Sequence, residues 1–220
     1  MKLTEAKLKQ LIKEVMTEAA KGITDLPDGV YVDVEKVADS YVIRYVTEDR
    51  KSPMKEFGFS GRLVTGPVKK LECLGAFQVE WVTVTPKGGG YAPLLYDIAM
   101  ELTTLLGANS DPPTGGLTSD RYSVTDEAQK VWDYYLYNRA GPGGDVTVIQ
   151  LDNEKDSFGD GVQNDCIQSI VRSTMTGLNP DFRKSPMSKV YRKQPTTLDA
   201  LGDKLRLYGF ELNLGNEESK

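Results

Sequence analysis

The sequence predicts an α+β (α/β) domain with a mixed, mostly antiparallel sheet flanked by helices. Residues 29–86 alternate apolar and polar side chains in four successive segments, which is the period of half-buried strands. From Leu94 to Leu106 the apolar residues instead recur at i, i+3 and i+4 spacing, as on one face of a helix. Shorter strand and helix patterns alternate after residue 115. This order favours a single sheet that packs against helices.

The first segment, residues 1–22, has the pattern of an amphipathic helix. Its apolar side chains recur at helical spacing, Thr4 is suited to the N-cap, and Gly22 is suited to the C-terminal stop. Two interpretations stay open. The helix packs on the domain, or residues 3–20 form a detachable segment that docks on another protein.

The second segment, residues 23–144, contains most of the predicted elements. Four strand patterns, GVYVDVEKV, SYVIRYV, EFGFSGRLV and CLGAFQVEWVTVTP, predict an antiparallel meander whose last strand is long. A helix over 91–106 follows, then the strand-like GLTSDR. A second helix, TDEAQKVWDYYLYNR, is predicted to be capped by Ser123 or Thr125.

The third segment, residues 145–220, is predicted to be an extension packed on the same domain. VTVIQLD at 146–152 alternates as a strand, and 162–175 has helical spacing. The last part of the chain predicts a short helix and a final strand at 207–212.

Composition excludes several kinds of site. The chain has 220 residues, a net charge of −5 and no histidine, which removes serine–histidine and cysteine–histidine nucleophile systems and most zinc sites. The net charge argues against a nucleic-acid-binding protein, although a local basic groove remains compatible with it. No stretch approaches the ~18 apolar residues of a membrane span, so we expect no membrane partner.

No metal site is predicted. The acidic run 152–160 places carboxylates at the first three ligand positions of an EF-hand loop. However, the sixth position is Ser157 rather than glycine, and the twelfth is Gln163 rather than glutamate. The run is therefore interpreted as a solvated acidic loop.

A basic run with an aromatic side chain lies at 182–193, FRKSPMSKVYRK. Such a run can contact the phosphates of a nucleotide or of nucleic acid. A solvated surface is the commoner structure for this composition, and it is the one that we expect here.

The turn between the fourth strand and the long helix is suited to binding an anion. Lys87, Gly88, Gly89 and Gly90 follow the strand, and the helix begins directly after them. Helix N-termini present unpaired N–H groups and the positive end of the helix dipole, and glycines let a phosphate approach the backbone closely. The alternative is a flexible turn with no ligand.

This arrangement resembles the GNAT family of acyl-CoA N-acetyltransferases, whose motif between the fourth strand and the next helix is [RQ]-x-x-G-x-[GA]. Lys87-x-x-Gly90-x-Ala92 occupies that frame, and the resemblance covers residues 29–140. It implies a GNAT-like fold and acetyl-CoA as co-substrate. It also implies a cofactor site formed by the exposed backbone of Val82 to Val84, beside the pantetheine arm, and by Lys87, Gly88, Gly89, Gly90, Tyr91 and Ala92 at the pyrophosphate.

The resemblance also implies catalytic residues. Glu80 lies on the fourth strand, where many members of the family have a carboxylate base, and strand alternation predicts that it shares a face with Val82 and Val84. The family's thiolate-protonating tyrosine is replaced by Trp132, so Tyr135 is the substitute candidate. Solvent exposure of Glu80 and helix packing of Tyr135 are the alternatives. The acceptor would be an unknown amine of a protein, a modified base or a small molecule.

A second hypothesis is a GNAT fold without catalysis that acts as a structural or interaction protein. The opening MKLT-x-x-x-L-K-x-L-I-K-E resembles those of tailed-phage proteins, some of which are cleaved after [LI]-x-E, as at Ile12-Lys13-Glu14. This resemblance implies partners among phage structural proteins, contacted through residues 3–20. It also implies that the protein is found in the cytoplasm of a host cell or in the phage virion.

Overall fold

A computed structural model of the chain describes residues 20–68, 75–108, 114–119, 124–151 and 184–212. Within these ranges, eight strands form one sheet. The strands are β1 (Val30–Val37), β2 (Ser40–Thr47), β3 (Ser60–Pro67), β4 (Phe77–Thr85), β5 (Leu117–Ser119), β6 (Val146–Gln150), β7 (Lys189–Lys193) and β8 (Leu205–Tyr208).

Four α-helices lie among these strands in the described residues. They are α1 (Met54–Phe57), α2 (Ala92–Gly107), α3 (Asp126–Tyr134) and α4 (Thr196–Leu201). Helix α3 continues into a π-helical turn at Tyr135–Arg139. None of the described helices is long and apolar enough to cross a bilayer.

The sheet has the order β6-β7-β5-β4-β3-β2-β1-β8. Strands β1 to β4 form the predicted antiparallel meander, whereas β4 pairs in parallel with β5 and β1 in parallel with β8. The prediction of a mixed, mostly antiparallel sheet with helices is therefore confirmed. Because β6, β7 and β8 belong to this sheet, the segment after residue 144 completes it rather than merely packing on it.

Helix α2 packs on one face of the sheet and buries the apolar face that its sequence predicts. Leu95, Ile98 and Met100 are fully buried in the main core cluster, together with Ile43 and Leu63 of the sheet. Strand alternation explains which residues reach this core, because every second side chain of a strand points to the same face. We call this side of the sheet the helix face and the other side the outer face.

A β-bulge in β4 changes the predicted alternation. Val64 pairs with Trp81 while Thr65 pairs with Val79, so Glu80 is one extra residue on β4 that has no partner on β3. Val82 and Val84 pack against the core. The Glu80 side chain is instead exposed, and its carboxylate lies over Gly66 of β3 on the outer face. The prediction that Glu80 shares a face with the two valines is therefore wrong, because a bulge shifts the period of two by one residue.

Strand β7 corrects the interpretation of the basic run as a solvated surface. Residues Lys189–Lys193 insert between β5 and β6, and Tyr191 is fully buried. Lys193 is also buried, at 3% exposure, because its ammonium pairs with the buried carboxylate of Glu101 on α2. A buried lysine is tolerated where a partner compensates its charge, and that partner is distant in the sequence.

The remaining predictions have mixed outcomes. The helix at residues 3–20 and the helix at 162–175 lie outside the described residues, apart from the last residue of the former. The final strand occurs at Leu205–Tyr208 rather than at 207–212. The long helix begins and ends within one residue of its prediction, at Ala92–Gly107.

Candidate functional site

A gap lies beside β4 beyond its short pairing with β5. The two strands pair only from Phe77–Leu117 to Val79–Ser119, although β4 continues for six residues to Thr85. Over Glu80–Thr85, no strand among the described residues pairs with the β5 side of β4. The main-chain groups on that side are thus available to a ligand, because a strand edge presents unpaired N–H and C=O groups.

A cleft of about 250 Å³ occupies this gap. Helix α2 contributes Tyr96 and helix α3 contributes Ala128 and Trp132 to its walls. The complete lining is Val79, Glu80, Trp81, Val82, Tyr96, Val124, Thr125, Ala128 and Trp132. Most of these side chains are apolar or aromatic, which is typical of a small-molecule site.

The floor of the cleft is rigidly packed. The rings of Tyr96 and Trp132 meet edge to face, with centroids 5.2 Å apart, and both side chains are almost fully buried. Thr125 caps α3 by accepting a hydrogen bond from the Ala128 N–H at 3.2 Å. This cap fixes the first residue of α3 and therefore the position of its N-terminus beside β4.

The predicted glycine turn lies at the end of β4 and is open to solvent. Gly88 and Gly90 have φ angles of +74° and +81°, a region that side chains with a Cβ rarely adopt. The Gly89 N–H donates to the Pro86 carbonyl at 3.1 Å, which closes the turn. A Cβ at Gly88 would meet no atom within 4 Å. Described side chains therefore leave the space next to Gly88 open.

The N-terminus of α2 follows the turn. Among the described residues no side chain caps it, its first turn contains no acidic residue, and Pro93 contributes no N–H. Tyr91 is held in place, because its carbonyl accepts from the Tyr45 hydroxyl at 2.8 Å and its ring stacks on Phe59 at 4.0 Å. The first amides of a 16-residue helix are thus presented at a fixed position.

Lys87 provides a positive charge beside the turn, as predicted. Its side chain is 85% exposed, and its ammonium lies 4.0 Å from the carboxylate of Glu127 in the first turn of α3. The pKa of Glu127 is lowered by its own backbone N–H, by the Thr125 hydroxyl and by Lys87. An anion that binds at Lys87 would therefore compete with Glu127.

Glu80 lines the cleft, but its carboxylate points towards the neighbouring strands. One carboxylate oxygen accepts a hydrogen bond from the Ser40 hydroxyl at 3.3 Å, and the other lies against Gly66. A methyl group at Gly66 would collide with it. The side chain thus occupies the outer face of the sheet at the level where β4 and β5 separate.

Tyr135 lies apart from the cleft. It is fully buried, and its hydroxyl donates to the Pro93 carbonyl and to the Asp97 carboxylate, both at 2.8 Å. Burial, reinforced by Asp97, raises the pKa of Tyr135 well above its ordinary value. This geometry does not support a role for Tyr135 as proton donor. Its position matches the alternative, in which Tyr135 packs the helices together.

The structure brings together some predicted residues and adds others. Glu80 and Val82 line the cleft, while Val84, the glycine turn and Ala92 lie at the end of β4 beside it. Sequence reasoning missed Tyr96 and Ala128, since a helix pattern identifies a buried face but not which part of it borders a gap. It also missed the buried hydroxyl of Thr118 on β5, which has no hydrogen-bond partner in the described ranges.

No metal site is found in the described part of the chain, where no group of three or more acidic or cysteine side chains could hold an ion. The acidic run 152–160 lies outside that part. Comparison of the chain with protein-family models, with curated proteins and with solved structures found no match.

Proposed function

We propose that the chain is a GNAT-like N-acyltransferase that transfers an acetyl group from acetyl-CoA to an amine. One observation carries this proposal: no described strand pairs with the β5 side of the second half of β4, and that edge leads directly to a glycine turn at a helix N-terminus. An extended ligand that ends in a pyrophosphate matches both features. The order of four antiparallel strands, long helix, fifth strand and helix is also the order that the resemblance implies.

The pyrophosphate is assigned to the turn. Oxyanions bind to backbone N–H groups at helix N-termini, where the dipole is positive. The amides of Gly88 and of Gly90 to Ala92 provide these donors, since the Gly89 N–H is bonded within the turn, and Lys87 adds a charge. The two amides of the pantetheine arm then pair with the edge of β4 over Val82 to Val84, as an added strand would.

The acetyl thioester is assigned to the cleft. Its volume of about 250 Å³ is below that of a typical drug-sized pocket, ~300–1,000 Å³, so it fits an arm and a short acyl group rather than the whole cofactor. Backbone N–H groups of β4 beyond Val79, which pair with no described strand on the β5 side, can stabilise the oxyanion that develops on the thioester carbonyl.

In the proposed transfer, the amine nitrogen attacks the thioester carbon, the C–S bond breaks, and coenzyme A leaves as the thiolate. The ammonium proton passes through water to the carboxylate of Glu80, which acts as the general base. The thiolate takes its proton from solvent, because Tyr135 lies apart from the cleft.

Calorimetric titration with acetyl-CoA tests the proposal, and α3 offers a matched pair of variants. Ala128→Trp fills the cleft, whereas Lys130→Trp adds the same ring at an exposed position of the same helix. We expect the wild type and Lys130→Trp to bind and Ala128→Trp to lose at least tenfold in affinity. Absence of binding to the wild type at millimolar ligand would remove the proposal, as would equal affinity in Ala128→Trp.

A second candidate is a GNAT fold without turnover, acting as a structural protein of a phage particle. One observation favours it: within the described ranges, Glu80 is the only acidic or basic side chain that lines the cleft. Release of free thiol from acetyl-CoA over a panel of amines distinguishes the two candidates. Release that Glu80→Gln reduces about a hundredfold supports the enzyme. Binding without release, together with detection of the chain in purified virions rather than in the host cytoplasm, supports the particle protein.

A further inference from the structure

The outer face of the sheet carries an arginine–aromatic surface, which we define as Tyr31, Arg44, Arg62, Trp81 and Arg206. The strand register places its arginines in one row, because Asp33 pairs with both Arg206 and Arg44, and Arg44 pairs with Arg62. With ~4.8 Å between neighbouring strands, the row from β8 to β3 is roughly 14 Å long. Trp81 lies on the next strand and also reaches the rim of the cleft.

Two arginines of this surface are stacked on aromatic rings. The guanidinium carbon of Arg206 lies 3.6 Å from the ring centre of Tyr31, and that of Arg62 lies 5.7 Å from the ring centre of Trp81. A guanidinium over a ring keeps N–H groups that can bind a phosphate oxyanion. In Arg206 one of these groups donates to the Glu48 carbonyl at 3.2 Å, and the others can bind a phosphate.

The positive charge of the surface is only partly neutralised. Arg44 pairs with Glu35 at 2.8 Å and with Asp33 at 3.7 Å. Asp33 and Glu35 also neutralise the neighbouring Arg50. By contrast, Arg62 and Arg206 have no carboxylate within ion-pair distance in the described ranges. Two positive charges thus remain, on a chain whose net charge is −5.

Two features of the surface are unfavourable without a ligand. Trp81 is 49% exposed, which is unusual for an indole ring, and Arg62 is exposed beside it. Arg44 and Arg62 are direct cross-strand partners, and like charges in that position are destabilising. An anion bound between the guanidinium groups of Arg44 and Arg62 reduces their repulsion, and a flat ring stacked on the Trp81 indole covers its exposed surface.

We propose that this surface binds single-stranded nucleic acid, with phosphates on Arg62 and Arg206 and a base stacked on Trp81. Alternating stacking rings and backbone-binding cations are the chemistry of sequence-tolerant single-strand sites. An acidic peptide matches the arginines but supplies no ring for the indole. The site is local, so the negative charge of the whole chain limits affinity without preventing it. The proposal does not depend on the transferase activity.

Tryptophan fluorescence tests this proposal, because Trp81 is exposed while the second tryptophan, Trp132, is 1% exposed. An oligothymidylate of about ten nucleotides falls within the usual site size. We expect it to quench Trp81 at low salt with a Kd on the order of 10–100 µM, in the range of non-specific binding. Labelled oligonucleotide anisotropy gives the affinity independently.

Variants assign the binding to this surface. Arg62→Ala and Arg206→Ala should each raise the Kd about fivefold and reduce the slope of log Kd against log salt by about 0.7, the value for one single-strand phosphate contact. Lys130→Ala removes an exposed charge elsewhere and should have no effect. Arg62→Lys should restore the salt slope, which separates loss of charge from loss of structure.

Three results would overturn the proposal. The first is no quenching and no anisotropy change up to about millimolar oligonucleotide. The second is wild-type affinity in both arginine-to-alanine variants. The third is tighter binding of an oligoglutamate of matched length, which would assign the surface to an acidic protein partner instead.

Discussion

Helix α2 has one ion pair beside its N-terminus and another on its C-terminal half, in opposite environments. Beside the N-terminus, Lys87 of the glycine turn and Glu127 of α3 lie 4.0 Å apart and are both largely exposed. On the C-terminal half, Glu101 and Lys193 form an ion pair that is almost completely buried. The exposed pair joins the glycine turn to α3, and the buried pair fastens the helix to β7 and α4.

The buried pair is fully satisfied, which explains why it is tolerated. The Glu101 carboxylate also accepts the backbone N–H groups of Thr197 and Leu198 at 2.7–2.9 Å, which are the first amides of α4. Lys193 donates in addition to the Thr196 and Thr197 hydroxyls. The comparison teaches that the C-terminal half of α2 is fixed by a buried network, whereas the exposed pair beside the proposed pyrophosphate site is a contact that an anion can replace.

The largest expected effect is at the buried end. Glu101→Ala leaves the buried Lys193 ammonium with only the half-exposed Asp145 carboxylate at 3.7 Å, so we expect a loss of about 3–5 kcal/mol in the free energy of unfolding. Urea denaturation measures it. The double variant Glu101→Leu/Lys193→Met removes both charges and should recover most of the loss. A single variant as stable as the wild type would contradict the buried network.

A smaller effect is expected between the two ends, at Tyr135. Tyr135→Phe removes the hydrogen bonds to Pro93 and Asp97 and should cost about 1–2 kcal/mol of stability. Because the hydroxyl lies apart from the cleft, acetyl-CoA binding should not change. If the variant keeps its stability but no longer releases thiol, Tyr135 acts as a proton donor after all.

A pH effect is expected at Asp97, whose pKa is raised by burial, although Arg139 opposes this shift. A raised carboxyl pKa means that the folded state binds more protons than the unfolded state. Stability therefore falls as the pH rises from the unfolded value of about 3.9 through the folded pKa. Asp97→Asn should lack this part of the pH dependence of stability. Unfolding midpoints of both proteins across this window measure it, and parallel pH profiles would refute it.

The smallest expected effect is at the exposed end. Glu127→Gln releases Lys87 from its partner, and exposed pairs contribute little to stability. We expect an unchanged unfolding midpoint and about twofold tighter binding of acetyl-CoA or inorganic pyrophosphate, because the anion no longer competes with a carboxylate. Weaker binding would mean that Glu127 holds Lys87 in the orientation that the ligand needs.

Much of the fold could be predicted from periodicity, because local pattern determines local structure. The four-strand meander and helix α2 follow directly from spacings of two and of three to four residues. Strand β7 could not be predicted, since its two lysines look solvated until Glu101 is brought close by the fold. Non-local charge compensation has no signature in a single sequence.

The site was predictable at its glycines and not at its side chains. A turn that needs positive φ at Gly88 and Gly90 can be recognised locally. The bulge that turns Glu80 to the outer face depends on the register with β3. The hydrogen bond between Tyr135 and Asp97 depends on how α3 packs against α2. The bulge and this hydrogen bond are both tertiary properties, so nothing in the local sequence supported the predicted roles of Glu80 and Tyr135.

The position of β7 between β5 and β6 has a consequence for how the protein is made. When β6 leaves the ribosome, the neighbour that joins it to the sheet has not yet been synthesised, and β5 likewise waits until residue 193 for its second partner. The nascent meander therefore exposes an incomplete edge for the time needed to translate the intervening residues. Chaperones that shield strand edges should bind most strongly to chains stalled in that interval.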